Sequence, residues 1–161
     1  MGSGKSTLGK QLAALLGRTF TDLDRFIEIR ENRTISEIFR QEGETAFRNI
    51  ESKALAEVLA YPNQVIAIGG GAPCHKANME MIRKKSLSVY LKISEPQLNF
   101  RLVHSITPRP LLKGKTESEI QALISGLLAA RELFYCQADI IMESDAITAE
   151  MVLSELVAKT H

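Results

Sequence analysis

The residues most able to do chemistry stand at the very start of the chain: Met1-Gly2-Ser3-Gly4-Lys5-Ser6-Thr7. Gly4-Lys5-Ser6 is the closing half of the phosphate-binding pattern G-x-x-x-x-G-K-[ST]. Glycines at 2 and 4 permit dihedrals closed to other residues, so successive N–H groups can face one concavity. A helix starting near Lys5 adds free N–H groups and the positive end of its dipole. Lys5 supplies a full charge for β- and γ-phosphates, and Ser6 a hydroxyl for Mg2+. Ser3 and Thr7 complete the nucleotide-binding run. Leu8, Leu12, Leu15 and Leu16 follow at helical spacing, which a Gly-Ser linker or an expression scar would not supply.

Four further groups could work with such a loop. Asp22 and Asp24 end a short strand, where open α/β sheets bind ligands. The bland alternative is that Asp24 simply caps the next helix. Arg48 and Glu51 are three apart and share a helix face. They are either a surface ion pair of little worth or an anion-binding arginine aimed by a carboxylate. Gly69-Gly70-Gly71 cost folding entropy and bury nothing, which fits close approach of a ligand to the backbone. Arg131 lies late in a long helix, where the dipole alone would favour a cation.

The elements that must position these groups follow from periodicity. Helices are predicted over Lys5–Leu16, Arg25–Arg30, Thr34 to about Gln41, Glu44–Leu59, Asn78–Lys85, Pro96 to about Val103, Glu117 to about Cys136 and Thr148–Lys159. Gly43 is expected to separate two of them, and Gly126 to weaken another. Strands are predicted over Thr19–Leu23, Val65–Ile68, Leu87–Ile93 and Ala138–Met142. This alternation implies an open, mostly parallel α/β sheet covered on both faces. The stretch 105–116 holds Pro108, Pro110, Gly114, Arg109, Lys113 and Lys115. It reads as a mobile lid over polyphosphate, or else as a solvated loop.

The 161 residues suit one domain with a real core, and 45% are apolar. A net charge of +1 does not point to nucleic acid or a membrane surface as partner. Cys74 and Cys136 have no metal-type spacing and are expected to be reduced thiols in a cytoplasmic protein. A monomer is expected, since no stretch reads as an exposed apolar face.

Taken together, these motifs resemble the shikimate kinases, P-loop kinases of the nucleoside-monophosphate-kinase type. The match runs through Lys5-Ser6-Thr7, Phe20-Thr21-Asp22-Leu23-Asp24, Phe47-Arg48-Asn49-Ile50-Glu51, Gly69-Gly70-Gly71-Ala72, Arg109-Pro110-Leu111-Leu112, and Arg131 with Leu133 and Tyr135. The resemblance implies transfer of phosphate from ATP to the 3-hydroxyl of shikimate. It implies Mg2+ at Ser6 and Asp22, and catalysis by Lys5, Asp24 and Arg109. Asp24, Arg48, Gly70, Gly71 and Arg131 would hold shikimate, with Glu51 orienting Arg48. Gly2 to Thr7 and Arg109 would hold the nucleotide. Arg101 and the loop Ser144 to Ile147 would lie near adenine, although His104-Ser105-Ile106-Thr107-Pro108 lacks the family's usual further basic residue. A substrate-binding helical region is expected over about 25–60.

The implied fold is a three-layer α/β/α parallel sheet of order 2-3-1-4-5. Its central first strand, and the first glycine of the loop, are absent from this sequence and expected upstream of it. Leaving the flanking strands without that partner would cost about 1–3 kcal/mol per buried unpaired group. A kinase of another small hydroxy acid such as gluconate, and a non-catalytic nucleotide-binding module, are the alternatives.

Overall fold

The computed structural model describes residues 2–104 and 114–160. Its elements, in order, are α1 (Lys5–Leu16), β1 (Thr19–Asp22), α2 (Leu23–Glu31), α3 (Ile35–Val58), β2 (Gln64–Ala67), α4 (Asn78–Lys85), β3 (Val89–Lys92), α5 (Glu95–Val103), α6 (Glu117–Tyr135), β4 (Ile140–Glu143) and α7 (Ala149–Thr160). A single 3-10 turn, Ala72–Cys74, precedes α4.

Local chemistry explains the boundaries. Gly17 ends α1 in the left-handed region at φ 63°, and its N–H closes on the carbonyls of Ala13 and Ala14. Thr34 and Glu37 form a capping box on α3. Thr116 and Glu119 form another on α6. Ser94 caps α5, with Pro96 in its first turn. Gly43 breaks the span of α3 at φ 81°, ψ 176°, separating the two helices expected on either side of it. Gly126 does not interrupt α6. One helical glycine costs about 1 kcal/mol, and burial of Ile120 and Ile124 on the same helix outweighs it.

β1 pairs with β2 in parallel, Thr19 opposite Gln64 and Asp22 opposite Ala67. β3 pairs with β4 in parallel, Val89 opposite Ile140 and Lys92 opposite Glu143. Side chains alternate across β2. Ile66 and Ile68 face a core with α2, α3 and α4, while Val65 faces one with Leu12 of α1 and Val152 of α7. Helices therefore cover both faces, giving three layers. A third cluster joins α5 and α6 over Ile93.

Among the described residues no strand joins β2 to β3. The space between these edges is a cavity of about 660 Å3, lined by Val65, Ile66, Val89, Leu91, Leu12 and Val152 among others. The pairs β1–β2 and β3–β4 are the two flanks of the expected order, on either side of the place of its central strand.

Two aspartates brace β3 against β4. Asp139 accepts from Ser88 N at 2.9 Å and Ser88 Oγ at 2.6 Å. At the other end Asp145 accepts from Ser94 N and Ser94 Oγ, both at 2.9 Å. No helix among the described residues is long and apolar enough to cross a membrane.

Candidate active site

The phosphate loop turns on two left-handed glycines, Gly2 at φ 78° and Gly4 at φ 81°. Gly4 is the N-cap of α1, with no side-chain cap and no acidic residue in the first turn. The N–H groups that begin α1 are thus left to an outside anion. Lys5 and Ser6 open the helix, and Thr7 follows on its exposed side.

Ser6 Oγ donates to Asp22 Oδ2 at 2.8 Å. The other oxygen of Asp22 accepts from Asp24 N at 3.1 Å and Arg25 N at 3.4 Å, so Asp22 is the N-cap of α2. The capping role considered for Asp24 belongs to Asp22, because the chain leaves the strand one residue before Leu23 would have continued it. Asp24 instead sits in the first turn of α2, half-buried. Burial raises its pKa above the ordinary 3.8, opposed by Lys5 and by Arg48, with Asp22 and Glu28 adding to the rise. Asp24 therefore lies within electrostatic reach of both the phosphate-loop lysine and the arginine of α3.

Arg48 is no surface ion pair. Its guanidinium donates to Glu51 Oε2 at 2.7 Å and Glu44 Oε1 at 3.3 Å, and Glu51 is only 1% exposed. Burial raises the Glu51 pKa despite Arg48, and Arg131 also acts on it. A carboxylate this deep holds its arginine in one orientation.

The glycine triplet was expected to make room for a ligand. It makes room first for the site's own side chains. A Cβ on Gly71 would stand 2.5 Å from the Arg48 guanidinium nitrogens, and one on Gly69 would stand 3.2 Å from Asp24 Oδ1 and 3.3 Å from Glu51 Oε1. After the triplet, the buried Asn78 side chain donates to Ala72 O at 2.8 Å.

Arg131 does more than sit near a helix end. With Lys5, Ser3, Gly69 and Gly70 it lines a cavity of about 150 Å3, whose apolar wall includes Leu98, Leu102 and Ile124. Both Arg131 and Arg48 act electrostatically on Cys74 and Tyr135. Arg101 donates to Ser3 O at 3.4 Å and to Asp145 O at 2.6 Å. It ties the phosphate loop to the loop Ser144 to Ile147 that was expected near adenine. Arg109 and most of the expected lid, residues 105–113, lie outside the described residues. The cysteines are free, and no cluster of three or more His, Cys, Asp or Glu suited to a metal occurs among the described residues.

A family model described as shikimate kinase matches residues 1–161. The chain is 43% identical to the shikimate kinase of Parabacteroides distasonis over 150 residues, covering 93% of this chain and 87% of that one. The crystal structure of shikimate kinase from Bacteroides thetaiotaomicron superposes with a TM-score of 0.93 at 39% identity, covering 98% of this chain and 94% of that one. That of the Acinetobacter baumannii shikimate kinase in complex with shikimate gives 0.84 at 33% identity, covering 99% and 87%.

The chain belongs to the shikimate kinase family.

The three-layer parallel fold is accordingly that of the shikimate kinases on which it superposes. Sequence reasoning about a shikimate kinase still missed parts of the site. Nothing in the local pattern marked Asn78 as a brace of the glycine loop. The double duty of Asp22 could have been found from Asp at a strand end immediately before a helical run. The bond from Tyr135 to the triplet, described below, spans 65 positions and had no local signal.

Proposed function

We propose that the described site transfers the γ-phosphoryl group of ATP to the 3-hydroxyl of shikimate, giving shikimate 3-phosphate and ADP, with these residue roles. Lys5 and the N–H groups of Gly2 to Thr7 hold the triphosphate. Arg48 and Arg131 clamp the acceptor carboxylate from two sides, Arg48 aimed by Glu51. The N–H groups of Gly70 and Gly71 take acceptor oxygens. Asp24 binds the acceptor hydroxyls and receives the proton of the attacking one. Arg109, in the lid, closes toward the transferring phosphate.

The observation that carries this reading is the place of Asp24. One carboxylate answers to Lys5 on the nucleotide side and to Arg48 on the acceptor side. Phosphoryl transfer asks a protein for positioning and charge neutralisation rather than covalent chemistry. A small hydroxylated acid then needs one carboxylate for its hydroxyls and forked cations for its acid group. A raised Asp24 pKa makes it a better proton acceptor than an ordinary aspartate.

Ser6 and Asp22 suit Mg2+. Both are hard oxygen donors. Their 2.8 Å bond uses the serine hydrogen and leaves the Ser6 oxygen lone pairs free for a cation, which Asp22 would help to hold. Bound there, the ion would neutralise charge on the β- and γ-phosphates. We further expect a cytoplasmic monomer.

A coupled ADP-release assay tests the proposal. Turnover should require ATP, Mg2+ and shikimate together, with gluconate inert at the same concentration. ADP release indifferent to shikimate would leave a nucleotide-binding module instead, and release with gluconate a kinase of another acid.

A further inference from the structure

Tyr135 closes α6, and its phenol reaches the glycine triplet, donating to the Gly70 carbonyl at 2.6 Å across 65 positions. Its ring lies tilted against Tyr90 of β3, centroids 5.0 Å apart. Arg131 stands beside the same phenol oxygen. The ring contact fixes where the hydroxyl lies, and the hydroxyl fixes the carbonyl.

The neighbouring groups of the loop are held from within. Gly69 O accepts from Ala72 N, and Gly71 O from Cys74 N, both at 3.1 Å. The Gly70 carbonyl is held mainly from α6, with only a long 3.8 Å contact to Cys74 Sγ beside it. Its peptide joins two glycines, so without that hold little steric resistance would stop it rotating. The bond is trans, so C=O and N–H point in opposite directions. Fixing Gly70 O therefore aims the Gly71 N–H. Among the described residues that N–H has no protein acceptor, and it belongs to the residue against which the Arg48 guanidinium lies.

We propose that Tyr135 is a positioning residue for acceptor binding: its hydroxyl locks the Gly70–Gly71 peptide so that the Gly71 N–H stands as a fixed donor beside Arg48 for an anionic oxygen. Naming shikimate as that acceptor rests on the function proposed above; the locked amide does not.

Tyr135→Phe removes only the hydroxyl and keeps the ring on Tyr90. The KM for shikimate should rise about five- to tenfold, the net worth of about one hydrogen bond. The KM for ATP should stay unchanged and kcat should move by less than about twofold, since a uniform binding interaction has been removed. In 15N-labelled protein without ligands, the Gly71 amide resonance should be single in the parent and shifted or broadened in the variant. An unchanged Gly71 amide overturns the proposal, as does a KM for ATP that rises together with that for shikimate. Should the parent protein release no ADP with shikimate, the functional reading fails while the Gly71 comparison still decides the role of Tyr135.

Discussion

Around Gly69-Gly70-Gly71 the protein answers itself. Arg48 is bonded to Glu51 and Glu44, Tyr135 to Gly70, and Asn78 to Ala72. Around Gly2 to Thr7 it does so far less. The first turn of α1 has no side-chain cap, and among the described residues the loop is tied to the rest of the chain by hydrogen bonds from Ser6 to Asp22 and from Arg101 to Ser3. The acceptor wall is set before a ligand arrives, which suits discrimination among small acids by fixed donors. The phosphate end keeps donors for groups that bring their own charge. Asp24 belongs to both, and substitutions on the two sides should fail differently.

The largest effect is expected where the regions meet. Asp24→Asn should lower kcat by about 10²- to 10⁴-fold, the usual worth of a positioned base, with ATP binding by calorimetry unchanged. Near-parental turnover would remove Asp24 from the reaction. On the acceptor side, Gly71→Ala places a methyl where the Arg48 guanidinium lies, 2.5 Å away. The guanidinium ends a long chain and gives way, so the fold survives while its aim does not. Shikimate KM should rise about tenfold or more, since displacement of a clamping residue by even 1 Å can cost 10²-fold. ATP KM should hold within about twofold; equal rises in both would erase the division between the two regions. On the phosphate side, Ser6→Ala should raise the Mg2+ concentration for half-maximal rate by about 10- to 100-fold, as loss of a metal-supporting group does. The KM for shikimate should be the quantity left alone there.

The smallest effect concerns acid. Asp139 is held below its usual range by bonds from the Ser88 hydroxyl and N–H, and Asp145 by those from Ser94 N–H and hydroxyl. A depressed folded pKa gives stability that is present above the unfolded value, near 3.8 for both, and is lost as pH falls through the folded value. Glu51 has the opposite sign. Burial raises it above 4.5, so its contribution is full below that value and is lost as pH rises through the folded one. Acid unfolding followed by circular dichroism should therefore come at higher pH for Asp139→Asn and Asp145→Asn than for the parent. No change in either midpoint would mean that the braces of β3 and β4 add nothing.

Much of this was readable in the chain. A helix start at Thr34 and a helix end at Leu16 were legible from residue type, because the Thr34 cap and the Gly17 stop satisfy backbone groups a few positions away; the caps at Ser94 and Thr116 were not foreseen. The strand ends were less readable. Leu23 and Ile68 are apolar and were expected in strands, yet β1 ends at Asp22 and β2 at Ala67, since a short buried strand is bounded by its partner's register rather than by its own pattern. In the site, residue type suggested the role proposed for Lys5, and the family resemblance those proposed for Asp24, Arg48 and Arg131. The crowding of Gly71 by Arg48 and the joining of Tyr135 to Gly70 did not show, since both contacts link distant segments.

By itself, then, the order of residues determined which groups could hold phosphate and a small acid, which helices would carry them, and that the strands between would run parallel. Those are matters of local bonding and periodicity, decided within a few positions of the chain. Only tertiary structure decided that Arg48 presses on Gly71 and that burial lifts Asp24 and Glu51. Desolvation and steric exclusion depend on what distant segments bring together, and no local pattern encodes that.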